Sequence, residues 1–403
     1  MGLIGVSPVI GTRKQARRPF APQARCLCYD ADVRILIAPD KFKGSLSGRE
    51  AAENIALGLR DVLPDAVIKT LPIGDGGEGT VLAIHGAAGG QWIDCRAHDA
   101  LGRQIGARYS WLADRSTAVM EMSEAAGLWR IAANERDLLR ANTYGVGEMI
   151  GHAAGRGARE IVIGLGGSAT NDGGLGMARA LGYKFFGVEH EHEHENELKI
   201  AGELTGLTRI VRPGRTFPKI TAAVDVRNPL LGPRGAARTF GPQKGGTPEQ
   251  LEILEEGLLR LADVLSHDLG SDFRDVPGAG AAGGLGFGLL SFCGAQIKSG
   301  FDVVSEFTGL FEAIQASDVV VTGEGRLDEQ TLEGKAPSGV ARLAREAGKC
   351  VFAIAGSAAE STALRELFEG VLVLARPPIT SDESKARAAE LLRERARELA
   401  RMM

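Results

Sequence analysis

Two hydrophobic rhythms take turns along this chain. Val33–Ala38 is apolar except for Arg34, and so short a run rich in branched residues predicts a buried strand. Pro39 ends it. Ser47-Gly48-Arg49-Glu50 has the spacing of a capping box, and Ala51, Ile55, Leu59 and Val62 recur on one helical face. A helix to about Leu63 is predicted. Ala66–Ile73 predicts a second strand, and Gly74–Thr80 leads into a second helix. Strand–helix–strand–helix at this spacing is the pattern of a parallel sheet with crossover helices.

From about Gly89 the texture changes. Gln91–Ala97, Ala107–Leu112 and Thr117–Met122 are short alternating runs joined by turns and predict strands. Ile161–Ile163 and Thr221–Val226 add further strands, and Pro248 opens a long amphipathic helix to about Leu269. After Gly284 the first rhythm returns, with strands at Asp318–Thr322, Val351–Ala355 and Val371–Leu374 and a helix at Lys335–Ala347. Thr380–Glu383 caps a charged C-terminal helix. The pattern predicts an α/β protein. A Rossmann-like parallel-sheet domain comes from both chain ends (33–88 plus 290–403), a second α/β domain (89–289) is inserted, and the active site is expected between them.

Composition narrows the function classes. The 403 residues are 44% hydrophobic and 24% charged, with formal net charge −4 and no long basic stripe. Nucleic acid and anionic membrane are therefore not expected partners. No apolar run approaches the roughly 20 residues of a membrane span. Five scattered cysteines argue against a disulfide framework and for a reducing compartment, so a cytoplasmic location is expected. Residues 1–32 carry Arg13, Lys14, Arg17, Arg18 and Arg25 with no acid before Asp30. That is transit-peptide composition, but without an amphipathic stripe a disordered tail or upstream extension is the preferred reading. The run of alternating His and Glu from His190 to Glu195 reads as a solvated hairpin tip rather than a metal site.

The chemistry lies in glycine-rich loops that follow predicted strands. Gly164–Gly176 follows Ile161–Ile163 and contains Gly166, Gly167, Ser168, Thr170, Asn171 and Asp172. Glycines let backbone N–H groups approach an anion, Ser, Thr and Asn add neutral donors, and Asp172 adds a carboxylate. Five further clusters share the design: Asp40–Ser47 with Lys41, Lys43 and Ser45; Gly74–Thr80 with Asp75 and Glu78; Asp225–Pro229 with Phe240–Gly245, including Lys244; Gly278–Gly284; and Thr322–Asp328 with Gly334-Lys335. Many glycines, a few acids and a few lysines point to phosphoryl transfer, which needs donors and cations around phosphate and carboxylates for a metal. No Walker motif occurs. The competing reading is an NAD-linked hydroxy-acid dehydrogenase, because Gly164–Ala169 fits G-x-G-x-x-A after a strand and Glu189 lies near the position of a ribose-binding acid. Against it, the Asn-, Asp- and Gly-rich run after Ala169 is a poor helix start.

Seven of these segments, taken in order, resemble the class I glycerate kinase family: Ala38–Ser47, Gly74–Thr80, Gly164–Gly174, Asp225–Leu230, Phe240–Gly245, Gly278–Gly284 and Thr322–Asp328. The resemblance implies phosphorylation of D-glycerate by ATP with Mg²⁺, giving 2-phosphoglycerate. On that basis Gly166, Gly167, Ser168, Thr170 and Asn171 are expected to cradle ATP, and Asp40, Ser45 and Lys244 to bind substrate. Lys43 is expected to hold the glycerate carboxylate or the transferred phosphoryl group. Asp75, Glu78, Asp172, Asp225 and Asp328 are candidates for metal ligand or general base. The working assignment gives catalysis to Asp172, Asp225 and Lys43, and the metal to Asp75, Glu78 and Asp328.

Overall fold

The computed structural model of the chain describes residues 33–74, 79–188, 195–332, 335–359, 361–376 and 378–403. The expected α/β architecture is present. One sheet has the order β14 (Gly370–Val373), β13 (Cys350–Ala358), β12 (Val319–Leu327), β1 (Arg34–Ile37), β2 (Val67–Thr70). Every neighbouring pair in it is parallel. Taken in chain order within the sheet, this is the 2-1-3-4-5 arrangement of flavodoxin-like sheets. The winding reverses between β1 and β12, where such sheets open a crevice at the strands' carboxyl ends. The Rossmann-like expectation is met in this variant.

The alternation of side chains along β1 divides the core. Ile35 and Ile37, with Val319 and Val321, pack under the helices Gly48–Arg60 and Ala388–Met402. Ser47 and Glu50 form the expected capping box on the first of these. The two helices are tied by Arg393 Nε donating to Asn54 Oδ1 at 2.7 Å and Arg397 Nε to Asp61 Oδ2 at 2.7 Å.

A second sheet has six strands in the order β11 (Gln296–Ser299), β10 (Lys219–Val224), β6 (Glu160–Gly164), β5 (Thr117–Glu121), β4 (Gln104–Leu112), β3 (Gln91–His98). Its β3–β4–β5 meander is antiparallel, and β5, β6, β10 and β11 run parallel. The third sheet is antiparallel: β8 (Glu195–Glu197), β7 (Lys184–Val188), β9 (Leu207–Val211). The His-rich run expected at a hairpin tip lies outside the described residues from 189 to 194, as does the leader 1–32.

β11 escapes the sequence reading because Gln296-Ile-Lys-Ser299 carries one apolar residue, and its pairing comes from β10. It also leaves residues 296–299 in the second sheet. Leu36 and Val320 of the first sheet share a continuous apolar core with Val119, Val162 and Ala223 of the second, filled by Val81, Ile84, Phe301, Val304 and Val340 from intervening helices. Among the described residues no helix is long and apolar enough to cross a membrane.

Candidate active site

A cleft of about 1100 Å³ opens over the carboxyl ends of the first sheet. Asp40–Ser47, following β1, form one wall, and Glu324–Arg326 with Asp328, at the end of β12, form the next. These are the two strands of the switch point. The walls are stitched together by Asp40 N–H donating to Gly323 O at 2.8 Å and Thr322 Oγ1 to Ala38 O at 2.7 Å. Gly166 and Gly167 of the second sheet's glycine loop face the same space. Of the expected site residues, Asp40, Lys43, Ser45, Gly166, Gly167 and Asp328 therefore meet at one cleft. Asp75 and Glu78 fall outside the described residues.

The charge in the cleft is mixed and ordered. Asp40 and Glu324 are 5% and 8% exposed. Lys41 N–H donates to Asp40 Oδ1 at 2.6 Å, and Thr331 Oγ1 to Glu324 Oε1 at 2.8 Å. Arg326 Nε lies 3.2 Å from Asp328 Oδ2. Lys43, Arg326 and Lys335 bring cations to the rim. Lys335 sits at the N-terminus of the helix Ala336–Glu346, where no side chain caps the backbone donors. The arrangement suits a polyanion at the rim and oxygen-coordinated chemistry deeper in.

The sequence model of the glycerate kinase family matches residues 35–403. The glycerate kinase of Bacillus subtilis is 41% identical over 374 residues, covering 91% of this chain and 97% of its own. The glycerate 2-kinase of Escherichia coli is 42% identical over 329 residues, covering 81% and 85%. A crystal structure from Salmonella typhimurium LT2, described as a candidate glycerate kinase 2, superposes with a TM-score of 0.80 at 39% identity over 92% of this chain and 97% of that one. The chain belongs to the glycerate kinase family. It is an enzyme of that family, and the dehydrogenase alternative falls. The geometry agrees, because helix begins only at Leu175 and Gly164–Ala169 does not open one as a dinucleotide fingerprint must.

Within this family member the rest of the glycine loop is packed away from the cleft. Asp172 is wholly buried. Its carboxylate accepts Thr143 N–H at 2.8 Å, Thr143 Oγ1–H at 2.9 Å, Gly174 N–H at 3.2 Å and Gly176 N–H at 3.0 Å. Burial pushes its pKa up, and these four donors oppose the rise. A carboxylate with four internal donors caps the turn into the helix Leu175–Ala180, so the Asp172 expected as a base or metal ligand sits behind the cleft rather than on its wall. Lys244 is likewise 3% exposed, with Nζ donating to Ser168 Oγ and Thr170 O, both at 2.7 Å. The Lys244 expected to bind substrate therefore contacts the loop itself. Thr170 and Asn171 are fully buried. Asp225 is exposed just beyond β10 and does not line the cleft.

The Asp225–Pro229 and Gly278–Gly284 clusters serve as backing. Gly280 N–H donates to Asn228 O at 2.9 Å, and Gly173 N–H to Gly283 O at 3.1 Å. Their glycines allow backbones to touch, a packing role that composition cannot distinguish from anion binding. Sequence reasoning does not single out Glu324, Arg326 and Lys335 as site residues. A signal for them exists, since all three lie in the cluster after the β12 run, but nothing local ranks one acid above its neighbours.

Proposed function

We propose that this chain transfers the γ-phosphoryl group of ATP to the 2-hydroxyl of D-glycerate, giving 2-phosphoglycerate and ADP. The observation that carries this reading is the convergence of Asp40, Glu324, Lys43, Arg326, Gly166 and Gly167 on one cleft at the switch point. Glycerate as substrate follows from the names of its relatives.

Phosphoryl transfer is mostly positioning and charge stabilisation. Gly166 and Gly167 offer backbone donors to the nucleotide phosphates. Lys43, Arg326 and Lys335 balance phosphate and glycerate charge, and Ser45 lines the same wall. The glycerate oxygen bonds to phosphorus as the bond to the ADP oxygen breaks, and Asp40 takes the hydroxyl proton. Hard carboxylate oxygens from Glu324 and Asp328 fit Mg²⁺, which takes one or two carboxylates beside substrate phosphates, and Asp75 and Glu78 stay proposed ligands on sequence grounds. When bound, the ion supplies neutralisation of phosphate charge.

The test is ADP release measured with D-glycerate, together with a phosphorus NMR spectrum of the product. Glycerate-dependent ADP and a 2-phosphoglycerate resonance are expected. NADH formation without ADP release overturns the reading, and a 3-phosphoglycerate resonance overturns the position of transfer.

A further inference from the structure

The glycine loop faces the cleft only through Gly166 and Gly167, and something must hold that turn in place. Two edges are tied by backbone. Leu128 N–H donates to Gly167 O at 2.8 Å and Ala169 N–H to Ala126 O at 2.9 Å, while Gly173 meets Gly283 on the far side. Between these ties the loop is not self-sufficient. Thr170 Oγ1 and both polar atoms of the Asn171 side chain are buried without a hydrogen-bond partner among the described residues. Buried polar atoms in that state favour opening toward water. Lys244 supplies the opposing force. It enters from the turn Pro242–Lys244, far away in sequence, and spends two of its three donors on Ser168 Oγ and Thr170 O.

We propose that Lys244 is a positioning residue: it pins Ser168 and Thr170 from behind and so holds Gly166 and Gly167 at the nucleotide's place in the cleft. The inference rests on the kinase reading above. Its amine is fully enclosed and touches no cleft surface, so it acts through the loop rather than on a reacting atom. Burial lowers its pKa to about 7, with the nearby Asp172 charge pulling it back up. Both contacts survive loss of one proton, because a neutral amine keeps two donors. A methionine of similar length would fill the space at lower desolvation cost but could donate nothing, so the two bonds are what the lysine contributes.

The experiment is a double-mutant cycle with K244M and S168A, read by ADP affinity, glycerate KM and hydrogen–deuterium exchange of the peptide spanning Gly164–Leu175. K244M is expected to weaken ADP binding by about tenfold or more with glycerate KM changed by less than about threefold. Exchange in the loop peptide should rise while that in β5 and β10 stays unchanged. S168A, which removes one anchor and leaves the core intact, should shift ADP affinity in the same direction. The double variant should cost little more than K244M alone, because one contact is removed twice. A K244M effect confined to glycerate KM, or strictly additive losses, overturns the proposal. If K244M does not fold, S168A decides alone: unchanged ADP affinity and loop exchange overturn it. Wild-type protein that neither binds ADP nor turns over overturns the kinase reading, and this inference with it; wild-type turnover with unresponsive variants overturns the inference only.

Discussion

Gly283 lies against Thr170 so closely that a Cβ on Gly283 would overlap the Thr170 carbonyl oxygen. Its φ of +70° is also in the left-handed region, and it follows Ala282 at φ +53° and precedes Gly284 at φ +85°. Three consecutive left-handed residues press one glycine cluster into the back of another that lies much earlier in the chain. The loop at the cleft is thus set from behind by backbone contact as well as by Lys244.

Gly283→Ala should therefore be among the most damaging small substitutions available. The left-handed conformation alone costs a Cβ-bearing residue about 1–2 kcal/mol, and overlap with an immobile carbonyl adds to it. A loss of at least about 3 kcal/mol in urea unfolding is expected. Stability within about 0.5 kcal/mol of wild type would mean the two backbones are not in contact.

Asp172→Asn separates a cap from a base. The amide nitrogen replaces an oxygen facing several donors, leaving buried N–H groups unpaired at about 1–3 kcal/mol. The expected outcome is a lowered melting temperature with kcat of the folded fraction within about tenfold of wild type. A kcat loss of about a hundredfold or more at unchanged melting temperature would establish the catalytic role instead.

Asp40→Asn should do the reverse. Its carboxylate lines the cleft at the switch point, and removing a proton acceptor there should lower kcat by about a hundredfold or more. Circular dichroism and the melting temperature should change little. Retained turnover in a folded variant would move the proton acceptor to Glu324.

Burial of Lys244 links its protonation to folding. Its pKa falls to about 7 in the folded protein, while the unfolded chain keeps the ordinary lysine value near 10.4. Between those two values the unfolded state binds a proton that the folded state does not. Stability should rise with pH across that window, by at most about 1.4 kcal/mol per unit. Below it both states are protonated and the full penalty of the buried charge is present. The urea midpoint should therefore rise more between about pH 7 and about pH 9 in wild type than in K244M. Parallel behaviour of the two proteins would show that the amine keeps its ordinary pKa.

Much of this protein is legible in its residues. Apolar runs locate β1, β2, β5, β6 and β10, and the capping boxes at Ser47 and Thr380 are present where helices begin. These signals are local: a cap needs a side chain three residues from its partner, and a buried strand needs only its own apolar run. The ordered glycine motifs likewise point to the family. Tertiary structure decided which side of each motif faces the cleft. Gly166 and Gly167 line it while Asp172, a little further along the same loop, is sealed behind it by donors from Thr143. Lys43 reaches the rim, whereas Lys244 is enclosed by the loop it ties. A glycine that admits a phosphate and a glycine that admits another backbone have the same side chain, and the two lysines are chemically alike in either place. Only the long-range packing of β12 beside β1, and of Gly283 against Thr170, separates the residues that line the cleft from those packed behind it.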